Sequence, residues 1–200
     1  MKYTFTTLAL AALSTALPQA SPAPPSFKIK NVISGGSGCP QGSIDIDWTD
    51  NKILPIYFTK DFTARVGRTA DIVDSRKNCQ INLSLSFSPG YSFAVYSADY
   101  AGYADLDAGV TGTVQSTYYF SGYTDQVSAA LTIPGPYKGK YNKSDDVAIS
   151  VWSPCEGSAA LNVNSEVALT PLAGAGSGVL TSTKETGKFG TNVYIKWKQC

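Results

Sequence analysis

Apolar and polar residues alternate strictly along several segments of the chain. Ile81, Leu83, Leu85 and Phe87 alternate with Gln80, Asn82, Ser84 and Ser86, and the same alternation recurs over 44–48, 161–169 and 193–198. A period of two residues is typical of a β-strand with one face in a core and the other in water. The sequence shows no comparable helical stripe, so we predict an all-β protein.

Clusters of turn-forming residues separate these segments. They read SGGSG at 34–38, SPG at 88–90, IPGP at 133–136 and GAGSG at 174–178. Short alternating strands between closely spaced turns are typical of antiparallel folds. We therefore expect an antiparallel β-sandwich or jelly roll, with a barrel as the second choice.

The first 26 residues have the pattern of a secretory leader. A single Lys precedes an apolar run, then small residues, then a proline-rich stretch. We predict a signal peptide over residues 1–20, cleaved after Ala16 or Ala20, a Pro-rich leader over 21–26, and a single β-sandwich domain over 27–200. The protein should be secreted and extracellular.

The four cysteines, Cys39, Cys79, Cys155 and Cys200, fit that compartment. An even number of cysteines in a secreted chain predicts two disulfides, for which three pairings exist. Of these we favour Cys39 with Cys79 and Cys155 with Cys200. A zinc site is not expected, because the spacings contain no close cysteine pair. The sequons at Asn82 and Asn142 predict N-glycosylation, and Asn82 falls on the polar face of its predicted strand.

The composition excludes several functions. The chain has no histidine, which excludes Ser-His and Cys-His nucleophile pairs and histidine-ligated zinc hydrolase sites. Apart from Lys2, 15 basic residues balance 15 acidic ones, so we expect neither nucleic acid nor membrane as a partner. We expect a monomer without cofactor or metal. The basic residues of segment 60–77 alternate with aspartates, which predicts a neutralised surface.

Several motifs carry a family resemblance. They are GGSGCPQGS, RKNCQINL, DYAGYADLDAGVTGT, TYYFSG, VWSPC and LNVNS, followed by a last strand that ends in a cysteine. Over residues 27–200 the chain resembles the fungal secreted proteins grouped as domain of unknown function 4360. The resemblance implies secretion and a common fold, and it implies no activity.

The acidic segment SADYAGYADLDAGVTG, residues 97–112, raises a question of chemistry. A strand over 103–110 would place Tyr103, Asp105 and Asp107 on one face, with neighbours about 7 Å apart. That spacing overlaps the range of inverting glycosidases, but two carboxylates on one polar face would titrate alike. A second alternative is calcium bound by Asp99, Asp105 and Asp107. We favour a structural β-corner over both.

Tyrosine is concentrated in the middle of the chain, where nine of the twelve lie between residues 91 and 141. A tyrosine ring stacks on sugars and on protein partners, and it also packs in sheets. We interpret the protein as a non-catalytic module that binds cell-wall or host polysaccharide through Tyr100, Tyr103, Asp105 and Asp107. The alternatives are a carboxylate glycoside hydrolase or lyase, and an effector that binds a host or cell-wall protein.

Overall fold

The computed structural model describes residues 23–46, 52–147, 151–172, 176–181 and 190–200. The expected signal peptide lies outside these residues, as do Asp47 and Trp48 of the first alternating segment. The strands are β1 (Phe27–Gly35), β2 (Asp45–Ile46), β3 (Ile53–Tyr57), β4 (Thr63–Val66), β5 (Arg76–Phe87), β6 (Tyr91–Leu106), β7 (Thr111–Phe120), β8 (Gln126–Pro134), β9 (Tyr137–Asp146), β10 (Ser158–Thr170), β11 (Gly178–Thr181) and β12 (Gly190–Gln199). A single 3₁₀ turn, Ile72–Asp74, completes the described elements.

The strands form two antiparallel sheets. The five-stranded sheet has the order β1-β5-β10-β7-β8, and the seven-stranded sheet has the order β2-β3-β12-β6-β11-β4, with β9 on the other side of β6. Neither sheet closes on itself, so the predicted sandwich is confirmed and the barrel is not adopted. In the part of the chain that the structure describes, no helix is long and apolar enough to cross a membrane.

The alternating segments place their apolar residues between the sheets, as predicted. On β5, Ile81, Leu83, Leu85 and Phe87 are buried, while the polar residues between them are only half-buried. The strand β12 follows the same rule, and β10 follows it except at the buried polar residues Asn162 and Ser165. Strict alternation on three strands from distant parts of the chain fixes which face of each sheet meets the core.

Aromatic rings fill one end of this core. The Phe93 ring lies 5.1 Å from that of Trp197 and 5.2 Å from that of Phe120, and Phe27 packs edge-on against Trp197 at 5.2 Å. Edge-to-face aromatic pairs contribute about 0.5–1.5 kcal/mol each beyond the area that they bury. These contacts join strands of both sheets.

A β-bulge in β6 changes which residues face the core. Val95 pairs with Ile195 and Ser97 with Tyr194, so Tyr96 is the extra residue. Before the bulge the odd-numbered Val95 is buried, and after it the even-numbered Ala98 is. Bulges turn a side chain in a new direction, and this one leaves Tyr96 exposed.

The two disulfides are Cys39–Cys79 and Cys155–Cys200, which is the favoured pairing, and no cysteine is free. The first is buried and joins the segment after β1 to β5. The second is exposed and attaches the C-terminus, just beyond β12, to the segment that precedes β10.

Candidate functional site

The structure places Tyr100, one of the expected ligand-binding residues, in the core. Its side chain is 1% exposed, its hydroxyl donates to the carbonyl oxygen of Ala129 at 3.3 Å, and burial raises its pKa above 10. A ring in this position cannot stack on an external ligand. The prediction that Tyr100 faces a ligand is therefore corrected: the residue is structural.

Tyr103 and Asp105 lie on the outer face of the seven-stranded sheet, where alternation with the buried Ala104 and Leu106 puts them. The Asp105 carboxylate, 43% exposed, forms an ion pair with Lys138 at 2.7 Å. The Lys138 ammonium group donates a hydrogen bond to Asp105, and this bond is the main cause of the raised pKa of Lys138. These two residues occupy the shared face that the sequence predicted.

Asp107 does not share that strand face, because β6 ends at Leu106 instead of continuing to residue 110. Its carboxylate accepts a hydrogen bond from the backbone N–H of Ser177 at 2.7 Å, and its carbonyl accepts one from the N–H of Val110. Satisfying backbone donors around a turn is a common role for Asp. Asp107 therefore holds the corner between β6 and β7.

Asp99 is bound by two hydroxyl groups, those of Tyr194 and Ser144. It lies six residues before Asp105 on the same strand, which corresponds to about 20 Å. The three aspartates therefore do not converge on one cation as the calcium alternative required. Within the described ranges no three side chains of His, Cys, Asp or Glu are grouped as metal ligands.

Trp152, Tyr96, Tyr194 and Tyr103 lie on the outer face of the seven-stranded sheet, and we call these four residues the aromatic stripe. Tyr96 is 39% exposed, and its ring lies 6.2 Å from that of Tyr194 at a tilt of 54°. Trp152 is placed on the same face by Lys198, whose Nζ lies 4.0 Å from its ring centroid. The hydrogen bond to Asp99 is the main cause of a raised pKa for Tyr194.

The sequence prediction of ligand-binding residues did not include Tyr96, Tyr194 or Trp152. Tyr194 lies between the buried Val193 and Ile195 on the last strand. The alternation of apolar and polar residues there already indicated in the sequence that Tyr194 faces away from the core. Its proximity to Tyr96 arises from the pairing of β12 with β6, two strands far apart in sequence.

An open pocket of about 760 Å³ lies beyond Tyr103 at the end of the stripe. Its charged lining includes Arg65, Arg68, Asp105, Asp107 and Lys138. Asp105 and Asp107 thus line one pocket, as the hydrolase alternative requires. Acid catalysis by a carboxyl group requires that one of two carboxyls be held in an apolar environment. Neither the exposed, ion-paired Asp105 nor the turn-forming Asp107 is held in an apolar environment.

The two sequons lie on different sheets. Asn142 is exposed on β9, and Asn82 is half-buried on β5, where its amide nitrogen donates to the Asn162 side chain at 2.9 Å. Glycosylation of both residues remains a prediction.

Comparison with known proteins supports the family resemblance. An uncharacterized secreted protein of the fungus Arthroderma benhamiae is 38% identical over 182 residues, which are 90% of this chain and 74% of that protein. Its secretion and the two disulfides confirm the expected extracellular location.

Among solved structures, TmCBM61 in complex with beta-1,4-galactotriose aligns over 86% of this chain and 91% of its own, with 10% identity and a TM-score of 0.29. A similarity this low carries no argument about the present chain. The model of a family described as a domain of unknown function, DUF4360, matches residues 25–200. The chain therefore belongs to the DUF4360 family of proteins.

Proposed function

We propose that this secreted protein is a non-catalytic module that binds polysaccharide on the outer face of its seven-stranded sheet. The observation that carries the proposal is the aromatic stripe, four rings on one face of one sheet. Tyrosine and tryptophan rings offer a flat apolar surface together with a polar group, which suits the face of a sugar ring and its hydroxyls.

Polar groups next to the rings support the same function. The Asp99 carboxylate fixes the Tyr194 hydroxyl, and it also accepts a hydrogen bond from Ser144. Fixing a ring before the ligand arrives lowers the conformational cost of binding. Ala101, the small residue between Asp99 and Tyr103 on β6, pairs with the sequon residue Asn142 of β9, so a glycan on Asn142 would lie beside this part of the face.

A polymer that contacts several rings at once would gain from all of them. A well-packed aromatic side chain at a binding interface often contributes about 2 kcal/mol, which corresponds to roughly a 30-fold change in affinity. A sheet face that presents rings in a row fits an extended polymer better than a small ligand.

The proposal is tested by retention of the purified protein on chitin, β-glucan and cellulose, with an assay for released reducing sugar. We expect retention on at least one polymer without sugar release. The double variant Tyr96→Ala/Tyr194→Ala should bind that polymer at least tenfold more weakly. Tyr123→Ala is the matched control, because Tyr123 is 51% exposed but lies between β7 and β8, away from the stripe.

Three results would contradict the proposal. Sugar release that is lost in Asp105→Asn would establish the hydrolase alternative. Equal retention of the double variant and the Tyr123 control would show that the stripe does not bind the polymer. Failure of every polymer, acidic as well as neutral, to retain the protein would favour the effector alternative, in which the same face meets a host protein.

A further inference from the structure

We propose that the pocket at the end of the aromatic stripe binds the carboxylate of an acidic sugar through Arg65 and Arg68. The inference rests on the proposed function and names its ligand class, a polysaccharide that contains uronic acid. The two arginines are contributed by the end of β4 and the turn that follows it.

The carboxylates of the pocket are already occupied. Asp74 is paired with Lys77 at 2.7 Å, Asp105 with Lys138 at 2.7 Å, and Asp107 with the backbone N–H of Ser177 at 2.7 Å. Each carboxylate that lines this pocket thus has another partner.

Arg65 and Arg68 have no such partner. Both are exposed, and within the described residues neither makes an ion pair or a side-chain hydrogen bond. A guanidinium group presents a planar fork of donors that matches a carboxylate in two parallel hydrogen bonds. Asp74, the aspartate of segment 60–77 that lines the pocket, pairs with Lys77 of the same segment, as the alternation of charges predicted, and leaves the two arginines unpaired.

The register of the sheet places Arg65 close to the stripe. Arg65, Val179, Asp105 and Lys138 form one row across four neighbouring strands. Two strand spacings separate Arg65 from Asp105, which is about 10 Å, close to the screening length of physiological salt. Asp105 therefore weakens the positive potential at Arg65 only slightly, and Val179 between them forms an apolar floor.

Tyr103 connects this row to the stripe. It precedes Asp105 by two residues on the same face of β6, a separation of about 7 Å. A sugar ring stacked on Tyr103 could therefore extend a carboxylate towards Arg65 over the side chain of Val179. A neutral sugar would be bound only by stacking on Tyr103, without the interaction with Arg65.

The turn that carries Arg68 is held against the rest of the pocket. Gly67 has a φ of 142°, and a Cβ at this position would lie 2.9 Å from the Ser177 hydroxyl oxygen. Ser177 is itself bound by Asp107. The pairing of Val66 with Gly178 and the hydrogen bond from the Ala70 N–H to the Gly67 carbonyl hold the base of the turn before any ligand binds.

The test compares polygalacturonate with its carboxyl-reduced, neutral form. We expect the wild-type protein to bind polygalacturonate about tenfold more tightly or better. Arg65→Gln/Arg68→Gln should remove this preference without lowering the melting temperature. Arg65→Lys/Arg68→Lys, which keeps the positive charges but not the planar guanidinium donors, should lose part of the preference for polygalacturonate. Lys28→Gln/Lys30→Gln is the matched control, since it removes two exposed charges from β1.

The outcomes separate this inference from the proposed function. If the arginine-to-glutamine variant keeps the preference, or if inorganic phosphate competes as well as galacturonate, the carboxylate site is wrong. If Tyr96→Ala/Tyr194→Ala loses binding to both polymers while the arginine variant retains wild-type binding, the stripe stands and this inference falls. If only the arginine variant loses binding, the anion site stands and the assignment of polysaccharide binding to the aromatic stripe falls.

Discussion

The opposite placement of Tyr100 and Tyr103 makes a quantitative prediction about stability. Replacing the buried Tyr100 by Ala removes a ring that is 1% exposed together with its hydrogen bond to Ala129. Loss of a buried aromatic ring costs about 3–5 kcal/mol. Replacing the partly exposed Tyr103 should change the free energy of unfolding by only about 0.5 kcal/mol.

Denaturant unfolding of the oxidised protein measures both values. For a chain of this size the Tyr100→Ala change corresponds to a fall in melting temperature of roughly 6–20 °C. Tyr100→Phe keeps the ring and loses only the hydroxyl, so it should cost about 1 kcal/mol. Equal destabilisation by Tyr100→Ala and Tyr103→Ala would refute the assignment of the two rings to opposite faces.

Three further predictions concern the disulfides, alkaline pH and metals. A mild reductant should open the exposed Cys155–Cys200 disulfide before the buried Cys39–Cys79 disulfide, and alkylation followed by peptide mapping would detect the order. Each disulfide should contribute about 4 kcal/mol to the free energy of unfolding in the chain-entropy model. Burial raises the pKa of Tyr118 well above 10, so above about pH 10 the unfolded chain loses the phenol proton more readily than the folded protein does. The stability contributed by the protonated Tyr118 is therefore complete below about pH 10 and is lost as the pH rises further. A constant denaturation midpoint between pH 8 and 11 would contradict this prediction. EDTA should leave the melting temperature nearly unchanged, whereas a drop of several degrees would indicate a bound cation.

Much of the fold follows from local pattern. Strict alternation on β5, β10 and β12 identified their buried faces, because a one-residue shift would expose the whole apolar set. A structural β-corner was expected within residues 97–112, and the structure has it at Asp107, just after β6. The predicted strand over 103–110 was wrong in extent, since β6 turns after Leu106 and begins at Tyr91.

The error at Tyr100 has a simple physical cause. Residues three apart on one strand face opposite sides of the sheet. Because Tyr100 and Tyr103 both lie on β6, they cannot both face a ligand. The bulge at Tyr96 determines which of the two rings faces the core, because it shifts the inward residues from odd to even numbers.

Other parts of the site depend on strand order, which local pattern does not determine. The row that joins Arg65 to Lys138 requires β4, β11, β6 and β9 to be neighbours. The contact of Tyr96 with Tyr194 likewise requires β12 to lie beside β6. Pairings between segments this distant depend on the packing of the whole sandwich.

The central claim is that the aromatic stripe is the surface that meets polysaccharide. Hydroxyl-radical footprinting of the protein, free and bound to the polymer that retains it, tests this claim most directly. We predict that binding lowers the oxidation of Tyr96, Tyr103 and Trp152 and leaves the oxidation of the exposed Tyr123 unchanged. Unchanged oxidation of the stripe on fully bound protein, or protection of Tyr123 instead, would contradict the account.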